Sequence, residues 1–87
     1  NYPMVNDYLG IGHGVYIVDV ILSDHFSSQL LKDVLSVGKG QVSCLLVKRG
    51  HQLHHNPSLD FEVTSKDTVI LCGHRENLVK IAPRLAQ

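Results

Sequence analysis

The sequence predicts an α+β domain: one mainly antiparallel sheet carrying two helices, in the order β-α-β-β-β-α. Three observations lead there. Apolar runs of strand length recur at 16–22, 42–48, 59–63 and 68–72. Only 27–36 and 75–82 space their apolar residues as a helix does. Helices and strands do not alternate strictly, as a doubly wound parallel sheet would require.

Taken in order, residues 1–14 (NYPMVNDYLGIGHG) hold Pro, Asn, Asp and three glycines, and read as a flexible connector from a missing upstream region. Gly10, Gly12 and Gly14 follow G-x-G-x-G, not the G-x-G-x-x-G of a dinucleotide loop. The folded domain is then expected over 15–87. Tyr16–Leu22 reads as a strand apolar on both faces, so both faces are expected to be covered. The spacing predicts a helix over 27–36, with Ser27 as its N-cap and Phe26 stapled onto Leu31. Leu30, Leu31, Val34 and Leu35 form its apolar stripe, and Gly38 and Gly40 end it.

Val42–Lys48 is a second two-sided strand. Arg49-Gly50 turns the chain into a short return strand at 51–54, and Asn56-Pro57 turns it again. Leu59, Phe61 and Val63 alternate with Asp60 and Glu62, predicting a strand with one buried face. Thr64–Asp67 is a turn, with Asp67 bonding nearby backbone. Thr68–Cys72 is a strand that Gly73 stops. Arg75–Ala82 is a helix with Leu78, Val79 and Ala82 inward, ended or kinked by Pro83.

Composition excludes several function classes. Eighty-seven residues make one domain, and 44% apolar with 18% charged is a globular composition. Eight basic residues balance eight acidic ones, which argues against a nucleic-acid partner and against a polybasic membrane anchor. No apolar run approaches the ~20 residues of a membrane span. Cys44 and Cys72 lie inside apolar runs and read as free thiols. No G-x-S-x-G elbow is present, and no enzyme is expected.

Six histidines are unusual for this length, and His51, His54 and His55 cluster. On a strand, His51 and His55 would stand roughly 13 Å apart, too far to share one metal, so no metal site is expected.

The stretch LLVKRGHQLHHNPSLDFEVTSKDTVILCG sets an apolar strand before Arg49-Gly50. His51–His54, Pro57, the alternating Leu59–Val63, Asp67, Val69–Leu71 and Gly73 follow. In order and spacing it resembles the C-terminal subdomain of RCK domains, also called the TrkA-C domain. Such domains regulate prokaryotic potassium channels and potassium uptake systems. The upstream YIVDVILSDHFSSQLLKDVL looks like that family's first strand and helix, so the resemblance covers about residues 15–82. Lys66 stands where the family usually has Gly before the turn Asp.

The resemblance implies a homodimer attached to a membrane-embedded channel or transporter, on the cytoplasmic side of the plasma membrane. It also implies a small ligand, such as a cyclic dinucleotide, another nucleotide or a divalent cation. Lys48 and Arg49 by themselves read as a solvated turn. Under the resemblance they read as an anion-holding pair, since Arg grips phosphate with two donors. His51, Asn56 and Pro57 would then flank the pocket, and Leu46 would floor it. A ligand-free dimerisation or scaffold module of a transporter or antiporter is the alternative.

Overall fold

The computed structural model describes residues 5–87, with side chains described from residue 9 onward. Seven strands are present among the described residues. Val5–Gly12 is β1, Val15–Ile21 β2, Gln29–Leu30 β3, Val42–Arg49 β4, Gln52–His55 β5, Glu62–Val63 β6 and Thr68–His74 β7. Helix α1 is Leu31–Leu35, continued by a 3-10 turn at Ser36–Gly38, and α2 is Arg75–Leu85. The main sheet is wholly antiparallel, in the order β1-β2-β7-β4-β5, and β3 and β6 pair separately. This is the α+β class expected, with β1 and β3 added where no strand was expected.

The first addition corrects the connector. Residues 5–12 are an edge strand paired with β2, while residues 1–4 lie outside the described residues. The glycines that read as a flexible lead-in have structural reasons. Gly12, His13 and Gly14 all take left-handed φ and turn the β1–β2 hairpin. Gly10 stands opposite Tyr16, whose ring lies where a side chain would project, 3.1 Å from a Cβ placed there.

The second addition shortens the first helix. Gln29 and Leu30 pair with Val63 and Glu62, so Ser27 caps nothing. The first free N–H groups of α1 are met by backbone instead. Leu31 N–H donates to the Phe61 carbonyl at 2.8 Å and Lys32 N–H to the Leu59 carbonyl at 2.9 Å. Those bonds also hold 59–61 out of strand geometry. Only Glu62–Val63 of the predicted alternating strand forms, leaving Leu59 58% exposed.

Gly73 does not stop β7. It stands inside the strand because a Cβ there would come within 2.8 Å of the Gln41 carbonyl. Pro83 lies inside α2, which runs on to Leu85.

The core lies on one side of the main sheet. Val18, Val20, Val42, Val47, Val69 and Leu71 face it from the strands, and Leu31, Val34, Leu35, Leu78, Ile81 and Leu85 close it from the helices. Strand β4 reaches this face in two phases. Cys44 pairs with Leu71 and Leu46 with Ile70, so Leu45 is an inserted bulge residue and the alternation shifts by one.

The alternate residues of the same strands form the outer face. They are Ile17, Asp19 and Ile21 on β2, Thr68, Ile70 and Cys72 on β7, and Leu46 and Lys48 on β4. Among the described residues nothing of this chain packs on it as a second layer. Of the two faces expected to be covered, the described residues of this chain cover the inner one.

Candidate functional site

Strand β4 carries the predicted basic pair, and alternation sends its two members to opposite faces. Lys48 pairs with Thr68 on the outer face and is exposed. Arg49 points to the covered side, where its Nε donates to Asp67 Oδ1 at 2.9 Å and its Nη2 to Asp67 Oδ2 at 2.7 Å. The same Nη2 donates to the Glu62 carbonyl at 2.9 Å. The guanidinium also lies 5.3 Å from the centre of the Phe61 ring. Two parallel bonds to one carboxylate are the strongest geometry an arginine has, and here an internal anion occupies it.

Asp67 is only 1% exposed. Its Oδ2 also accepts from the Thr64 N–H at 2.9 Å, which is the turn-forming role expected of it. Burial pushes the Asp67 carboxyl upward. The hydrogen bonds from Arg49 and the Thr64 amide, with the positive fields of Arg49 and His54, outweigh burial and leave it below the ordinary carboxylate value.

The other predicted residues do not gather around Arg49. Leu46 is half-buried on the outer face, His51 is an exposed turn residue, and Asn56 is exposed with left-handed φ. Pro57 lines a separate groove beyond the far end of the β4–β5 hairpin. The six therefore form no single pocket.

Sequence reasoning missed the partner of Arg49. The signal was the separation of Arg49 from Asp67 by one hairpin and one turn, which is long range and invisible to local pattern. The histidine cluster also disperses. His54 tilts against Phe61 with ring centres 4.9 Å apart, His55 takes the outer face, and His51 stays in the turn. No group of three or more His, Cys, Asp or Glu able to hold a metal ion occurs among the described residues. Cys44 and Cys72 are free and lie on opposite faces of neighbouring strands, and burial pushes the Cys44 thiol up.

Besides a cleft of about 470 Å³ between α1 and the end of α2, lined by His25, Asp33 and Arg84, two features remain that a partner or ligand would use. One is the groove holding Pro57, about 430 Å³, walled by Leu31, Leu35, Val42 and Leu59 and edged by Lys32 and Ser43. The other is the outer sheet face. Of the large apolar residues left exposed, Leu9, Ile21 and Leu53 belong to it. Amid them sits Asp19, whose Oδ1 is shut off from water and has no hydrogen-bond partner. A buried, unpaired carboxylate oxygen costs free energy until something donates to it.

No protein-family model matches this sequence, and no curated protein matches it significantly. No helix among the described residues is long and apolar enough to cross a membrane.

Proposed function

We propose that this domain is a dimerising, ligand-sensing regulatory part of a potassium channel or related cation-transport protein, held on the cytoplasmic side of the membrane. The observation that carries the reading is the outer sheet face: apolar, and without a second layer among the described residues of its own chain. A sheet of this kind gains by burying that face against another layer. The resemblance over 15–82 supplies the rest of the reading.

The mechanism is population shift. A ligand that favours one dimer geometry biases the attached gate by the difference in its affinity for the two. The ligand class is a cyclic dinucleotide, another nucleotide or a divalent cation, and the Pro57 groove is the concavity offered to it. One observation favours the second reading, a ligand-free dimerisation module: Arg49, the group expected to hold an anion, is already held by Asp67.

Light scattering with a thermal-shift screen tests both. A dimer with one selective hit among cyclic dinucleotides, adenine nucleotides and divalent cations, lost in Leu59→Glu, supports the sensor. A dimer with no hit favours the scaffold. A chain that stays monomeric at high concentration overturns both.

A further inference from the structure

We infer that two copies of this chain stack their outer sheet faces about a two-fold axis running along β7, so that Asp19 of each copy meets Lys48 of the other. The inference rests on the dimer proposed above and adds which surface pairs and in which orientation.

Size is the first argument. Five strands about 4.8 Å apart and some seven residues long make a face of roughly 500 Å² in projection. A stable interface needs about 800 Å² of accessible surface from each partner, and accessible area exceeds projection. The outer face is therefore of the right order to occupy one partner of equal size. A second copy also matches in charge, because the chain is neutral overall.

Orientation follows from symmetry. Stacked sheets keep their strands within about 30° of each other and lie ~10 Å apart. A two-fold in the plane between the sheets then runs either across the strands or along them. Across the strands, each strand lies over its own copy. With the axis near the middle of the face, Asp19 approaches Asp19, and two carboxylates meet in an apolar layer. Along the central strand β7, the sheet order is reversed in the copy, so β2 lies over β4.

Register then decides what Asp19 meets. Asp19 and Leu46 both pair with Ile70, while Lys48 pairs with Thr68, one outer-face step along the strand. Asp19 thus lies over Leu46 of the copy, with the Lys48 amine one step away and on a long side chain. Within one chain these two residues are two strands apart, about 10 Å, plus that step, and do not pair. Between copies, the half-buried Asp19 carboxylate gains a charged donor, twice per dimer.

Charge reversal tests the pairing directly, by sedimentation velocity on the full chain. Asp19→Lys and Lys48→Asp each set like charges together and should raise the dimer Kd about tenfold or more. The double variant, with both reversals in one chain, restores opposite pairs and should recover most of the affinity. A dimer whose Kd neither single variant changes, or whose losses the double variant compounds, overturns this geometry and leaves the dimer reading standing. A wild-type chain that never dimerises overturns the dimer reading itself, and this geometry with it. Cys72 supplies a readout that needs no charge change. Lying on the outer face of β7, it meets its own copy across the axis, so a short bismaleimide should link the dimer in Cys44→Ser and fail in Cys72→Ser. Absence of that link in a confirmed dimer also counts against the axis.

Discussion

The two faces of the main sheet are built from the same strands, with alternate residues, and they differ in what covers them. On the inner face Val20, Val47, Val69 and Leu71 are wholly buried beneath α1 and α2. On the outer face their neighbours Ile21, Leu46, Thr68 and Ile70 keep part of their surface in water. Composition barely distinguishes the two, since both are rich in Val, Leu and Ile. Supply of layers distinguishes them: a chain of 87 residues with two helices, one of them five residues long, has enough for one side.

The sharpest way to break this comparison is a matched pair of truncations on β7. Leu71→Ala should cost about 2–5 kcal/mol, because it removes a fully buried side chain. Ile70→Ala, one residue away, should cost less, about 1–2 kcal/mol in dilute protein, because that side chain keeps part of its surface in water. Urea unfolding of both at low concentration is the measurement. Equal losses would mean that the outer face is covered in the single chain.

Next in size is the inner-face ion pair. Asp67→Asn should cost about 2 kcal/mol, less than a fully buried pair, because the Arg49 side chain is 40% exposed. The sign of its pH dependence follows from its direction of shift. The folded carboxyl lies below its unfolded value, so its contribution is complete above about pH 4 and is lost as the pH falls through the folded value. The wild-type urea midpoint should drop across that range, and the Asp67→Asn midpoint should drop less.

Two backbone substitutions give smaller effects of opposite sign. Gly73→Ala brings a methyl within 2.8 Å of the Gln41 carbonyl and should destabilise by about 1–3 kcal/mol. Lys66→Gly should stabilise by about 0.5 kcal/mol, since Lys66 sits at φ 71, where a side chain is strained. Melting temperatures of both, against wild type, decide whether these two close geometries are as described.

What could be read from the sequence divides along the same line as the energetics. Strands β2, β4 and β7 were legible as apolar runs of strand length and helix α2 by its helical spacing, and both signals are local information. The start of α1 was not, because its N–H groups are met by Phe61 and Leu59, about thirty residues downstream, and no side chain of Ser27 takes part. β1 was hidden by its glycines. Punctuation and hairpin look alike until Tyr16 is seen covering Gly10. At the candidate site, Lys48 and Arg49 were read together as one anion-holding pair. Their separation onto two faces, and the commitment of one to Asp67, depend on a tertiary contact that no spacing in the chain announces.

The bulge at Leu45 has a consequence for how this chain tolerates insertion and deletion. Two adjacent cations on a strand always diverge, and the phase of the strand decides which one goes inward. With Leu45 present, Arg49 turns inward to its carboxylate and Lys48 outward. Deleting that one residue would remove the bulge and leave both where they are, because Leu46 would then follow Cys44 in ordinary alternation. Inserting one residue between Leu46 and Lys48, with the N-terminal half of β4 held in place, would exchange their roles. The compact ammonium would then be committed to Asp67, and the forked guanidinium would stand on the open surface. A one-codon insertion, unlike a one-codon deletion at the bulge, would thereby rewrite which charge the domain keeps for itself and which it offers to another molecule.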